Sequence, residues 1–264
     1  MVSDAQRQVP TSGRVLGVVM DRDVAVPMSD GVQLMVNVFR PESDGRRPVI
    51  LSVSPYGKDD LPQRWRSGRP GMDFGIVQVS EYAAFEAPDP GFWVPAGYVV
   101  VHGNVRGTWN SEGTSQWLSP QDARDYAELI EWAATQPFSD GNVGLCGVSY
   151  LAMSQWAVAA LNPPHLKAII PWEGASDQYR EFVYQGGLRE TKFFPSFYEY
   201  RLRASQNPRL SGEPRPRGRV ETASARRRVL GGHAARPECG RGTRARLRLL
   251  VRPGDAHSRV DRGI

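Results

Sequence analysis

The sequence predicts an α/β fold in which helices flank a mostly parallel sheet. Apolar runs at 48–53, 97–105 and 143–148 are typical of strands that are covered on both faces. A segment at 119–137 has one apolar face at helical spacing, and we expect it to pack on this sheet. The third run leads through Ser149 directly into a second helical segment, which is the arrangement on which the functional interpretation depends.

We expect residues 1–20 to form a loose leader, after which residues 23–28 and 32–39 are predicted strands. Ser29-Asp30-Gly31 joins them with the turn chemistry of a hairpin. The next predicted strand, 48–53, runs into Ser54-Pro55-Tyr56-Gly57. A Pro-, Gly- and aromatic-rich stretch at 58–95 is interpreted as a long excursion with one short helix.

The helix at 119–137 opens with Ser119-Pro120-Gln121-Asp122, a capping pattern with proline at the first position and an acid in the first turn. Its apolar face precedes Pro137, which ends it. Three acids lie elsewhere on this helix, and we expect them to form a solvated face rather than a metal site: Asp125, Glu128 and Glu131.

Ser149 stands where an apolar strand ends and a helix begins, before the stop at Asn162-Pro163-Pro164. A serine at such a corner forms a nucleophile elbow, in which a tight turn raises the hydroxyl above the sheet at the positive end of a helix. Gly147 fits, because a side chain two residues before the serine would crowd the turn. The strict pattern also has glycine two residues after the serine, where this chain has Leu151, so an ordinary turn with a solvated serine is the alternative.

The segment D-G-N-V-G-L-C-G-V-S-Y-L-A-M-S-Q-W resembles the nucleophile segment of the cocaine esterase and Xaa-Pro dipeptidyl-peptidase family of α/β-hydrolases. Three other segments agree in order: V-P-M-S-D-G-V at 26–32, S-P-Y-G-K at 54–58, and Arg106-Gly107 followed by S-E-G at 111–113. The resemblance runs from about Asp21 to about Pro195. It implies the N-terminal part of an α/β-hydrolase domain at 21–174 and the start of a helical cap at 175–207.

The resemblance also implies the roles of three residues. Ser149 would be the catalytic nucleophile, and the Tyr56 hydroxyl and the Tyr150 backbone N–H would form the oxyanion hole, where donors stabilise the charge on the carbonyl oxygen. The alternative for Tyr56 is a loop tyrosine with its hydroxyl in water. The implied substrate is a small-molecule ester or an Xaa-Pro peptide, with no cofactor and no metal. The family pattern Asp-x-Arg-Gly is replaced by Asn104-Val105-Arg106-Gly107, and we expect the amide to weaken any buried pairing with Arg106.

The composition changes near Ser211. Residues 211–264 contain 14 arginines, no lysine, five acidic residues and no aromatic residue, whereas the whole chain has a net charge of +5. The preceding part is therefore mildly acidic, and the basic balance says nothing about its substrate. Three interpretations of 208–264 compete: a disordered nucleic-acid-binding tail, a structural extension, and the product of a reading-frame change in a GC-rich gene. We favour the last, which makes the domain C-terminally incomplete and nucleic acid an unlikely partner.

The family takes its catalytic Asp and His from segments after the cap, and no matching segments are present in this chain. Asp255 and His257 are only two residues apart, which crowds them into one loop, and His102 lies inside a predicted strand as a core or pocket residue. We therefore expect low activity, with a non-catalytic remnant whose Arg-rich tail binds nucleic acid as the alternative. Two cysteines form no disulfide framework, and no transmembrane segment or signal peptide is evident, so a cytoplasmic location without membrane contact is expected.

Overall fold

A six-stranded mixed sheet forms the centre of the molecule. The computed structural model describes residues 17–59 and 79–206. The strands lie in the spatial order β1-β2-β4-β3-β5-β6. Their bounds are β1 Val18–Pro27, β2 Gln33–Pro41, β3 Arg47–Ser54, β4 Val99–Asn104, β5 Ser139–Val148 and β6 Leu166–Trp172.

The strand directions bring the ends of four strands to one edge of the sheet. β1 and β2 form an antiparallel hairpin, and β2 is also antiparallel to β4. Along the row β4-β3-β5-β6, each strand is parallel to the next. The segments that follow β3, β4, β5 and β6 therefore meet at the same edge, which is where ligands bind in open α/β sheets.

Three helices accompany the sheet: α1 (Pro90–Trp93), α2 (Pro120–Thr135) and α3 (Tyr150–Ala160). The Ser119 side chain caps α2 by accepting a hydrogen bond from the Asp122 N–H at 3.2 Å. The apolar face of α2 is fully covered by the sheet, since Leu129, Ile130 and Ala133 are 0 % exposed. The predicted helix and its apolar face are thus observed.

Between β6 and residue 206, the last that the structure describes, the chain contains short elements only. A π-helical turn (Gln178–Val183) precedes a small hairpin of β7 (Tyr184–Gln185) and β8 (Leu188–Arg189), followed by α4 (Phe193–Phe197), a second π-helical turn (Tyr198–Leu202) and α5 (Arg203–Ser205). At Ser205 this segment has returned to the sheet edge, because the Trp109 N–H donates to the Ser205 carbonyl at 2.9 Å.

The expectation that the acids of α2 form a solvated face is wrong for Asp125. Its side chain is 5 % exposed and binds the guanidinium of Arg106 through two hydrogen bonds of 2.7 Å. The expected weakening at Arg106 is also not observed, because Asp125 and Asp30 supply its carboxylates. The Asn104 amide oxygen instead accepts the backbone N–H of Lys58 at 2.7 Å.

The predicted boundaries differ from the observed ones near the start of the chain. β1 begins at Val18, so residues 18–20 of the expected leader belong to the sheet, where Val18 pairs with Pro41. The short helix expected within 58–95 is α1. Residues 1–16, 60–78 and 207–264, with the predictions made for them, lie outside the described residues. Within the described part of the chain, no helix is long and apolar enough to span a membrane.

Candidate active site

Ser149 occupies a strained corner between β5 and α3. Its backbone has φ 59° and ψ −117°, a region that non-glycine residues rarely adopt and that costs about 1–3 kcal/mol. Its N–H donates to the Trp172 carbonyl at 3.1 Å, and the Val148 N–H donates to the Glu86 carbonyl at the same distance. These two bonds fix the corner to the segments that contain Trp172 and Glu86. Ser149 itself is half-buried at the edge of the sheet.

Two glycines make room for this corner. A Cβ atom on Gly147 would lie 2.4 Å from the Cβ of Leu151, so the expected crowding is real. A Cβ atom on Gly174 would lie 2.5 Å from the Cβ of Ala152. The chain that leaves β6 therefore passes directly against the first turn of α3. The lack of a side chain at Gly174 allows this close approach. Leu151, which stands where the strict elbow pattern has glycine, is a fully buried core residue.

Tyr56 follows β3 and is 1 % exposed, so it is not a solvated loop residue. Its hydroxyl lies within hydrogen-bonding range of the Ser149 side chain and the Tyr150 backbone. Burial is the main cause that raises its pKa, and the nearby Glu86 carboxyl adds to it. The phenol therefore stays protonated and keeps its hydrogen available for donation.

The loop that carries Tyr56 is fixed by its neighbours. The buried ammonium of Lys58 pairs with Asp59 at 2.6 Å and with Asp23 at 2.5 Å. Gly57 has φ 104°, and a Cβ atom there would meet the Trp109 ring at 2.9 Å. The Tyr56 side chain is thereby held in one place before any ligand arrives.

Tyr150, the first residue of α3, points its side chain away from Ser149 into the core. Its hydroxyl donates to the Asp122 carboxylate at 2.5 Å, and the Leu118 N–H donates to the same oxygen at 2.7 Å. Burial raises the pKa of Asp122 to about 7. This contact ties the first turn of α3 to α2, and so orients the Tyr150 N–H.

Glu86 is an acidic residue beside the serine that no sequence motif indicates. Its carboxyl lies within hydrogen-bonding range of the Ser149 side chain. Burial raises its pKa to about 8, Glu173 also raises it, and Arg201 opposes the shift. The sequence offers only the weak signal of a single acid within the small and apolar run Ala83-Ala84-Phe85-Glu86-Ala87.

The segment after β6 covers Tyr56 from the outside. The Phe197 ring lies edge-on to the Tyr56 ring, with centroids 5.8 Å apart. The Arg201 guanidinium lies 5.3 Å from the centroid of the Tyr56 ring and donates to the Tyr56 carbonyl at 3.1 Å. These contacts make Phe197 and Arg201 part of the wall beside the candidate oxyanion donor.

The histidines of the described residues are engaged away from Ser149. His102 is 1 % exposed, and its Nε2 lies 2.8 Å from the Pro88 carbonyl oxygen, as expected for a core histidine. Burial lowers its pKa to about 4. His165 precedes β6 at the opposite edge of the sheet and pairs with Glu131 at 2.6 Å. Across residues 17–59 and 79–206, no group of three or more His, Cys, Asp or Glu side chains could hold a metal ion.

The model of the X-Pro dipeptidyl-peptidase (S15) family matches residues 30–242. The chain belongs to this family. The matched range extends beyond Pro195, where the resemblance inferred from the sequence motifs ends. Family membership and the strand order together identify the fold as that of an α/β-hydrolase.

Among curated relatives, the chain is 36 % identical over 167 residues to a cocaine esterase from Rhodococcus sp., covering 62 % of this chain and 25 % of that protein. It is 29 % identical over 177 residues to a putative Xaa-Pro dipeptidyl-peptidase from Bacillus anthracis, covering 59 % of this chain and 28 % of the relative. The chain thus spans about a quarter of the length of these relatives. Both names denote hydrolases, and they support the hydrolase class for the family.

A crystal structure of a CocE/NonD family hydrolase from Staphylococcus aureus superposes with a TM-score of 0.64 at 47 % sequence identity. The match covers 69 % of this chain and 32 % of that structure. The family expectation and the α/β-hydrolase expectation from the sequence are confirmed by these comparisons.

Proposed function

We propose that this chain carries the nucleophile and the oxyanion hole of a serine hydrolase that acts on small esters or on Xaa-Pro peptides. The observation that supports this most strongly is the strained corner at Ser149, with the Tyr56 hydroxyl beside both its side chain and the Tyr150 backbone. With φ 59° the ψ of −117° lies outside the left-handed helical region that turns ordinarily use, so the start of a helix does not by itself require this conformation.

In the proposed reaction, the Ser149 Oγ attacks the acyl carbonyl carbon. The negative charge that develops on the carbonyl oxygen is stabilised by the Tyr56 O–H and the Tyr150 N–H, which are in position before the reaction begins. Loss of one such donor lowers the rate by about 10²–10³ in comparable sites. No cofactor or metal takes part in this proposal.

We propose low turnover, because His102 and His165, the histidines within residues 17–59 and 79–206, both have partners away from Ser149. Enzymes of this type that lose triad members retain a rate lower by about 10⁴–10⁶. With an activated ester as substrate, two outcomes are therefore expected. The acyl-enzyme accumulates if deacylation is the slower step, and it forms slowly if acylation is.

Covalent labelling tests the nucleophile without requiring turnover. We expect a fluorophosphonate probe to modify the full chain once, at Ser149, with the adduct located by peptide mass spectrometry. Ser149→Ala should abolish labelling. Ser154→Ala, in the same helix with a buried hydroxyl bonded to the Leu151 carbonyl, should leave it intact. Labelling that survives in Ser149→Ala would refute the proposed function.

A further inference from the structure

Glu86 is held against the nucleophile by its backbone as well as by its side chain. Its carbonyl oxygen accepts the N–H of Val148, the residue that precedes Ser149, at 3.1 Å. Its own backbone has φ 61°, in the left-handed region. The adjacent Phe85 is 8 % exposed and packs edge-on against the Tyr56 ring at 5.4 Å. The position of the Glu86 carboxyl therefore follows from the same contacts that shape the oxyanion side of the site.

The carboxyl of Glu86 lacks the partners that a structural carboxylate has. Its Oε2 atom is buried and has no hydrogen-bond partner among the described residues. An unsatisfied buried oxygen costs about 1–3 kcal/mol, so its retention calls for an explanation. The carboxyl is also within hydrogen-bonding range of the Ser149 side chain, which is the reacting group of the proposed function.

Two charged groups and one neutral phenol face Glu86 from three other segments. Glu173 follows β6 and raises the pKa of Glu86, whereas Arg201 of the second π-helical turn lowers it. Tyr56 follows β3 and stays protonated. Desolvation outweighs these effects and leaves the pKa of Glu86 at about 8. A carboxylate of that basicity is matched to general-base work near neutral pH.

We propose that Glu86 is a catalytic residue that accepts the proton of Ser149 during acylation. As the Ser149 Oγ forms its bond to the acyl carbon, the Oγ–H proton passes to the Glu86 carboxylate. When the tetrahedral intermediate collapses, the bond to the leaving-group oxygen breaks, and the Glu86 carboxylic acid returns the proton to that oxygen. In deacylation, Glu86 takes a proton from the attacking water and returns it to the Ser149 Oγ.

This inference rests on the proposed function, and the test separates the two. The burst of p-nitrophenolate from p-nitrophenyl acetate reports acylation of the full chain, measured from about pH 5 to about pH 10. We expect the wild-type acylation rate to rise with pH through a midpoint near pH 8, the pKa of Glu86, to a plateau above about pH 9. Glu86→Gln, which keeps the shape but removes the basicity, should lower the plateau by about 10²–10⁴ and flatten the profile. Glu86→Asp should restore part of the rate.

Two further variants distinguish a base from a merely structural residue. Glu173→Gln removes a negative neighbour, so the pKa of Glu86 falls and the midpoint of the profile should move to lower pH. Glu199→Gln is the matched control. Glu199 lies in the second π-helical turn with Arg201 but pairs with Arg203, so this variant should leave the profile unchanged. The profile of Glu173→Gln decides the matter if Glu86→Gln does not fold.

The outcomes are distinct. If the wild type shows neither a burst nor fluorophosphonate labelling, the proposed function itself fails. If Ser149 is labelled but Glu86→Gln has the wild-type rate and profile, only the role of Glu86 is overturned. An unchanged midpoint in Glu173→Gln would also overturn it.

Discussion

Two carboxyl groups of this molecule, the buried one of Asp125 and the half-buried one of Glu86, have opposite environments. Asp125 receives both nitrogens of a guanidinium fork from Arg106 at 2.7 Å, and the Gln121 amide donates to it at the same distance. Glu86 keeps one buried oxygen without a partner in the described part of the chain. Its other surroundings are a serine, a phenol, a second acid and the Arg201 guanidinium, whose charge offsets only part of the rise in its pKa.

The difference separates a stabilising region from a reactive one. The carboxyl of Asp125 is compensated, and it joins α2 to the segment after β4. The corner that contains Glu86 and Ser149 instead holds two non-glycine residues at positive φ and a carboxyl with a raised pKa. Strain and unmet polar groups of this kind collect at functional sites, where the rest of the fold holds them in place.

The largest effect should come from removing the compensated carboxyl. Asp125→Ala leaves the Arg106 guanidinium buried without its main partner, and we expect the free energy of unfolding to fall by about 3–5 kcal/mol. Asp30→Ala removes the other ion pair of Arg106, whose acid is 48 % exposed, and should cost less than about 1 kcal/mol. Urea denaturation of both variants measures the contrast. Equal losses of stability in the two variants would show that the buried and the exposed ion pair of Arg106 stabilise the fold to the same extent.

The reactive carboxyl should behave in the opposite way. Because the pKa of Glu86 is about 8 in the fold against an ordinary 4.5, the folded state holds a proton that the unfolded state has lost between these values. The contribution of Glu86 to the free energy of unfolding therefore decreases as the pH rises from 4.5 to about 8. Glu86→Gln should match the wild type near pH 4 and be more stable at about pH 9 by on the order of 3 kcal/mol.

Urea denaturation at the two pH values tests this prediction, and Glu199→Gln is the control. Other titrating groups, among them Asp122 and His102, contribute equally to wild type and variant and cancel in the difference. A Glu86→Gln variant that is less stable than the wild type at the higher pH would mean that the carboxylate supports the fold, as Asp125 does.

The smallest expected effect concerns the corner itself. Gly147→Ala places a methyl group 2.4 Å from Leu151, and we expect a loss of about 1–3 kcal/mol together with reduced labelling of Ser149. Gly144→Ala, in the same strand, meets nothing closer than 3.7 Å and should stay within about 1 kcal/mol of the wild type. Thermal unfolding and probe labelling of both variants check this prediction. Full labelling of Gly147→Ala would show that the backbone around Ser149 can move to accept the methyl group without losing its reactivity.

The sequence predicted those site residues that lie next to a recognisable strand or helix in the chain. Ser149 and Tyr150 lie at a strand-to-helix boundary that propensity and turn residues mark, and Tyr56 follows a visible apolar strand. The prediction for Asp125 is wrong because helical periodicity gives the face of a residue but not the cation that another element brings to it. Arg106 reaches it from 19 residues away, and the sequence gives no sign of the pairing.

The sequence alone determined the order of strands and helices, the corner at Ser149 and the family, since each depends on local pattern or on matching motifs. Only the tertiary structure decided that Glu86 lies beside the serine, that Arg201 covers Tyr56, and that Gly174 admits the close approach to α3. The physical reason is that these contacts depend on which strands are neighbours. The parallel order of the sheet brings segments that are distant in sequence to one edge, and a linear pattern does not carry that information.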